Sequence, residues 1–197
     1  MFVGDVVDGF PEGQGRFQDR VNNAEYEGQF MHGFFNGQGR LEWSNGDQYE
    51  GEWVDGVLSG EGVMQYANGN RYDGEFRNNV PEGSGRYQFK EGAVFVGQLA
   101  GGFLHGQGRM EWPDGSVYEG HWENGLTMGQ GTFIWPSGDV YVGTFDNGVN
   151  GKGTITFING VRYTGNVRDG MAHGWGVMTW LPVGTASRGN EYRGNFR

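Results

Sequence analysis

Apolar and polar residues alternate in short stretches along the chain, and the pattern restarts about every 23 residues. The segment Tyr49 to Arg71 shows it most clearly. Tyr49, Gly51 and Trp53 alternate with Glu50 and Glu52; after a short break, Gly62, Met64 and Tyr66 alternate with Val63 and Gln65. A period of two marks a strand with one apolar face. Two such strands in sequence predict a β-hairpin. Aligning each aromatic that is followed two residues later by Gly gives units starting at Phe2, Tyr26, Tyr49, Tyr72, Phe95, Tyr118, Tyr141 and Tyr163, with a partial ninth from Tyr192. The spacings are 24, 23, 23, 23, 23, 23, 22 and 29 residues. One array over residues 1–197 leaves no separate catalytic domain.

Units join through Asn45-Gly46, Asn68-Gly69, Glu91-Gly92, Asp114-Gly115, Ser137-Gly138 and Asn159-Gly160. Such pairs suit tight antiparallel connections. The expected fold class is all-β: a single elongated, twisted, open antiparallel sheet of tandem hairpins, about 17 strands in a meander.

A single sheet has no second layer to bury its apolar face. Counting the first aromatic as position 0, position 4 carries Phe30, Trp53, Phe76, Leu99, Trp122 and Phe145. Position 17 carries Trp43, Tyr66, Phe89, Trp112, Trp135, Phe157 and Trp180. Strong curvature would make this face the floor of its own groove. Its rings are either packed core or accessible anchors for a partner. Trp43, Trp53, Trp112, Trp122, Trp135, Trp180, Tyr49 and Tyr118 are the candidate groove residues.

Composition narrows the chemistry. Glycine fills 41 of 197 positions and cysteine none, which removes disulfides, thiolate metal sites and cysteine catalysis. The absence of cysteine fits a reducing, cytoplasmic compartment. The formal charge is -10, and Lys90 and Lys152 are the only lysines. A broad nucleic-acid surface or a polybasic membrane patch needs the opposite balance. The charge is uneven: residues 1–100 hold 16 acids and 7 bases, residues 101–197 hold 8 and 7. The acidic rim favours a basic partner. In the second half, the outward positions Ile134, Val142, Thr144, Thr156 and Val177 carry little charge. They form a candidate association face for a partner or a second copy, or an ordinary Thr-rich strand surface.

The run Tyr-x-Gly-x-Trp-x-x-Gly, then Gly-x-Gly, then Asn/Asp-Gly, seen from Tyr26, Tyr49 and Tyr118, resembles the MORN repeat. Eight copies in register carry the resemblance over the full chain. It implies a twisted β-sheet with a groove and non-enzymatic interaction roles: cytoskeletal scaffolds, axonemal and radial-spoke components of cilia and flagella, binding of motor-protein tails, and dimers. It also implies an alternative, a peripheral module binding phospholipid at a membrane. There are departures. Asn79 replaces an expected Gly, the Tyr141 unit is one residue short, and the connection from Leu181 to Asn190 is six residues longer than usual. That connection is a candidate recognition element or a tolerated insertion.

Enzymatic constellations are not evident. The Gly-x-Gly pairs recur in every complete unit, unlike a phosphate loop, which occurs once between a strand and a helix. His32, His105, His121 and His173 have no metal-ligand spacing, and no Ser occupies a nucleophile elbow. No cofactor or metal is expected. Both ends read as strand without a polar cap, which is consistent with a fragment, with end-to-end pairing of sheet edges, or with burial in an assembly.

Overall fold

The computed structural model describes residues 1–180 and 190–197. The long connection, 181–189, lies outside the described residues. The chain divides into two compact units, Met1–Phe103 and Leu104–Arg197.

The first unit holds β1 (Phe2–Val7), β2 (Phe10–Asp19), β3 (Ala24–Met31), β4 (Phe34–Glu42), β5 (Gln48–Val54), β6 (Val57–Gln65), β7 (Arg71–Arg77), β8 (Val80–Gln88) and β9 (Val94–Ala100). The second holds β10 (Phe103–Glu111, which starts one residue before the unit does), β11 (Val117–Glu123), β12 (Leu126–Ile134), β13 (Val140–Asp146), β14 (Gly151–Thr156), β15 (Arg162–Arg168), β16 (Met171–Thr179) and β17 (Glu191–Phe196). In each unit every strand pairs antiparallel with its neighbours in the chain. Among the described residues no other pairing closes either meander. The all-β, open antiparallel architecture of tandem hairpins is therefore the observed one.

Two kinds of turn alternate. Inside a repeat the loop has two residues, as between Val54 and Val57, which face each other. Asp55 and Gly56 both have positive φ, 48° and 82°. That is the type I′ geometry, whose twist matches the strands it joins. The connections through the Gly-containing pairs between repeats are one residue longer, whereas between the first two repeats Asp19 faces Ala24 across four residues. Trp43 N–H donates to Asp47 O at 2.9 Å, and Gly46 N–H to Trp43 O at 2.9 Å. The tightest loops are thus at Asp55-Gly56 and its equivalents rather than at Asn45-Gly46. Asn79 fits the first kind: its φ is 69°, and its side chain accepts from Leu58 N–H at 2.8 Å. Asn tolerates the left-handed region better than other non-glycine residues, so the departure from Gly is accommodated.

The two glycines of each Gly-x-Gly have different causes, and Gly60 and Gly62 show both. Gly60 has φ 73° and lies where the β5–β6 register slips between Gly51 and Trp53. It is the left-handed residue of a β-bulge. Gly62 faces Gly51, and a Cβ there would overlap the Tyr49 ring and its phenol oxygen. Facing glycines form a stripe across the first unit, and the ring of each repeat's tyrosine lies on it. Tyr26, Tyr49 and Tyr72 are fully buried without a second layer of protein. Their hydroxyls donate to the backbone three residues on: to Gln29 O at 2.9 Å, Glu52 O at 3.0 Å and Glu75 O at 3.0 Å. In the second unit Tyr118, Tyr141 and Tyr163 do the same to His121, Thr144 and Asn166. A buried hydroxyl without a partner would cost about 1–3 kcal/mol, so this bond is what admits Tyr to the core.

Candidate functional site

Within each unit the sheet has an inner face bearing most of the rings and an outer face bearing most of the charge. The inner face is layered by repeat position. Positions 0 and 4 are buried in the seven units that start at Tyr26 through Tyr163, and open at the two end units, where Val6 and Tyr192 are exposed. Tyr49 and Trp53 meet edge to face with centroids 5.3 Å apart, and Tyr118 and Trp122 at 5.2 Å. The indole N–H of Trp53 donates to Gly39 O at 3.1 Å, and that of Trp122 to Gly108 O at 3.2 Å. Both Trp53 and Trp122 are only 3% exposed. Four of the eight candidate groove residues, Tyr49, Trp53, Tyr118 and Trp122, are therefore interior packing with their polar atoms satisfied.

Position 17 is different. Trp43, Trp112 and Trp135 are partly exposed and Trp180 is exposed. They stand at the turn end of the second strand, beyond the reach of the covering tyrosines. They also have companions. Tyr66, Tyr87 and Phe89 form a chain in the first unit, with centroids 6.2 and 4.7 Å apart. Trp112, Phe133 and Trp135 form one in the second, at 5.9 and 5.1 Å. All six rings are partly exposed. Within the second unit the Trp135 indole also lies against the turn glycine Gly170, whose added Cβ would be 3.2 Å from the ring. Tyr66, Tyr87, Phe89 and Phe133 are not among the residues that the sequence pattern singles out as groove candidates. For Tyr66 and Phe89 a signal is present, because the rings at position 17 are all at least partly exposed; position 15, with Tyr87 and Phe133, also holds the buried Leu41, Met64, Met110 and Ile155 and gives none.

Electrostatics follow burial. Desolvation pushes the phenols of Tyr26 and Tyr118 up to about 12. It also raises those of Tyr49 and Tyr72, with smaller contributions from the charges of Glu52 and Glu75 respectively. Tyr66 is pushed up to about 12, first by burial and then by Tyr87 and Asp47.

The outer faces of the two units differ. In the first, an open trough of about 450 Å³ is lined by Glu50, Glu52, Glu61, Val63, Arg71 and Asp73, among others. Glu61 and Glu75 stand directly opposite each other on β6 and β7. Arg71 is paired with Asp73 at 3.4 Å, and Arg16 with Glu25 at 2.7 Å. In the second unit Val142 is 54% exposed and Ile134 37%. Thr144, Thr156 and Val177 are partly exposed. The register sets Ile134 opposite Val140, Val140 opposite Thr156, and Val177 opposite Thr164. The Thr144 hydroxyl accepts from Lys152 N–H at 2.8 Å, so it is committed to the backbone rather than to a partner. Glu75 acts alike, accepting from Ser84 N–H at 2.9 Å. Side chains at this position satisfy the bulged strand's amide, a role the alternation pattern does not reveal.

Among the described residues no group of three or more His, Cys, Asp or Glu is arranged to hold a metal ion. His105 and His121 approach with ring centroids 6.3 Å apart, and the backbone of His32 takes the first turn position at φ 51°. Among the described residues no helix is long and apolar enough to cross a membrane.

No curated protein is detectably similar to this chain in sequence. Solved structures share its architecture. The TCP domain of Drosophila melanogaster SAS-4 (dCPAP), in complex with a proline-rich motif of Ana2, superposes with a TM-score of 0.50 at 12% identity, covering 98% of each chain. The TCP10 domain of Danio rerio CPAP, in complex with a STIL peptide, gives 0.52 at 14% identity over 90% of this chain and 78% of that one. The G-box domain of the microcephaly protein CPAP gives 0.55 at 15% identity over 94% and 100%. At such identities the likeness is one of fold. The MORN-repeat model matches residues 2–23, 26–48, 49–71, 72–94, 95–117, 118–140, 141–162 and 163–180. Together with the hairpin register and the tyrosine-covered glycines, these eight matches establish that the chain belongs to the MORN-repeat family and is a non-enzymatic repeat scaffold.

Proposed function

We propose that the protein is an interaction scaffold in a cytoskeletal assembly, centriolar, ciliary or flagellar, and that its inner face receives a peptide or helix of a partner protein. The observation that carries this reading is the partly exposed ring chain on the inner face of each unit, Tyr66–Tyr87–Phe89 in the first and Trp112–Phe133–Trp135 in the second, beside the buried rings of Tyr49, Trp53, Tyr118 and Trp122. Rigid aromatic surface of this kind supplies much of the energy in protein interfaces. The cytoskeletal setting is supported by the family and by the fold shared with the CPAP G-box domain, for which a role in centriole elongation is suggested, and peptide binding by the fold shared with two domains solved with partner peptides.

Photo-crosslinking tests it. A photoreactive phenylalanine analogue at Trp112, Trp43 or Phe89 should yield a discrete adduct with a cytoskeletal protein in cells, whereas one at Phe157 after Trp112→Ser should yield less of it. Adducts that are diffuse, or unchanged by Trp112→Ser, would remove the inner face from the reading.

Self-association through the second unit's outer face is a second reading, favoured by the exposure of Val142 and Ile134 side by side with uncharged threonines. Ile134→Glu with Thr156→Glu should lower the mass seen by light scattering at high concentration. A mass that does not change would discard it.

A further inference from the structure

The outer face of the first unit carries an apolar row that the inner-face reading leaves unused. The residue after each type I′ turn points outward there: Phe10, Phe34, Val57, Val80 and Phe103. Phe10, Phe34, Val80 and Phe103 are exposed, Phe34 by 56% and Phe103 by 59%, and Val57 is partly exposed. Val7, Met31 and Val54 stand opposite the first three and are exposed as well. The row steps from repeat to repeat past the turn glycines, except between Val57 and Val80, where Asn79 holds the turn position. A Cβ added to the turn glycine of the following repeat would be 3.3 Å from Phe10 at Gly33, 3.8 Å from Phe34 at Gly56 and 3.5 Å from Val80 at Gly102. Isolated surface apolar residues need no explanation, but a row marks an interaction site.

What would cover the row is set by its border and by its step. On the same face, Glu52 and Glu75 come next along their strands, Glu61 stands opposite Glu75 and Glu50 lies behind them, while one base, Arg77, stands opposite Val80. Among the described residues none of these four carboxylates is in an ion pair. A Lys- or Arg-bearing ligand is complementary to that border, and an acidic one is repelled. The row advances one repeat, two strands, at a time, which is about 9.6 Å at the usual strand separation. A polyproline II helix returns to the same side every three residues, about 9.3 Å. An α-helical heptad advances about 10.5 Å and drifts out of step by roughly 4 Å over the four intervals of the row. An extended β-strand points every third side chain to the opposite face.

We infer that the outer face of the first unit is a docking surface for a basic polyproline II segment of a partner protein, lying across the strands. One turn of the segment meets each repeat. Its apolar edge rests on Phe10, Phe34, Val57, Val80 and Phe103, and its basic edge faces Glu52, Glu61 and Glu75. Within the first unit this surface is on the other face of the sheet from Tyr66, Tyr87 and Phe89, and it stands independently of them.

The test is fluorescence anisotropy of a labelled peptide of about five Leu-Pro-Lys triplets, which places Leu and Lys on separate edges of the polyproline II helix, titrated with the full chain. Saturable binding is expected. It should weaken on the order of tenfold in the triple variant Glu52→Gln, Glu61→Gln, Glu75→Gln, and similarly with added salt. Phe34→Ser with Phe103→Ser should weaken it comparably, and Trp112→Ser should leave it unchanged. The Gln variant retains every backbone acceptor, and both phenylalanines are exposed, so the two sets check one another if either perturbs folding. The inference is overturned if no saturable binding is seen, if a Leu-Pro-Glu peptide binds as well, if a Leu/Lys heptad helix binds more tightly, or if both outer-face variants bind like the parent.

Discussion

At Gly62 the absence of a side chain is a steric requirement, since the Tyr49 ring occupies the space a Cβ would need. Gly62→Ala should therefore cost about 2–4 kcal/mol, because ring and backbone cannot both stay in place. Gly56→Ala is the instructive contrast. Its nearest neighbour to an added Cβ is Phe34 at 3.8 Å, so only the backbone strain of φ 82° is felt, about 1–2 kcal/mol. Urea denaturation of the two variants separates packing from strain, and equal losses would contradict the assignment. Tyr49→Phe removes a single buried hydroxyl and its bond to Glu52 O, an expected loss of about 1–2 kcal/mol.

The hairpin is the next scale. Its two turns look similar in sequence, and this is where residue type alone misleads. Asn45-Gly46 is the stronger written hairpin signal, yet Asp55-Gly56 forms the two-residue loop. The difference is that Asn45 precedes a left-handed glycine without being left-handed itself, a distinction carried by loop length and not by residue type. Strand positions, by contrast, were legible because the Tyr-x-Gly-x-Trp alternation fixes a face, and a one-residue slip would expose every ring. The groove was legible only in part. Trp53 and Trp43 are the same residue type, but one sits between covering tyrosines and the other beyond them. At the turn of β7 and β8, Asn79→Ala should destabilise by roughly 2 kcal/mol, losing the bond to Leu58 N–H and adding left-handed strain. Asn79→Gly should cost less, since it loses the bond only. Thermal melts that rank Ala above Gly would refute this account.

Across the whole molecule the phenols set a pH limit. Folded-state values raised above 10 mean that the neutral form is favoured in the native chain. That contribution is fully present below pH 10 and is lost as pH rises from there through about 12. Alkaline titration should show tyrosinate absorbance appearing together with loss of the sheet's circular dichroism. Ionisation well before unfolding would show the phenols to be open to solvent. The charge distribution gives a second whole-molecule expectation. Residues 1–100 hold 16 acids against 7 bases, with Glu61 and Glu75 opposed across one ladder. Moderate salt should therefore raise the melting temperature by screening repulsion, and a fall would mean that attraction within ion pairs outweighs it.

The second residue of each tight turn donates to the preceding repeat: Gly33 to Pro11 O, Gly56 to Phe35 O and Asn79 to Leu58 O. In heredity this makes the hairpin a unit of copying. A duplicated stretch of 23 residues brings its own donor for the repeat before it and its own acceptor for the repeat after it. Such an array can lengthen or shorten by whole repeats without a new interface having to arise, so the reach of the scaffold is open to change by simple duplication while its chemistry stays fixed.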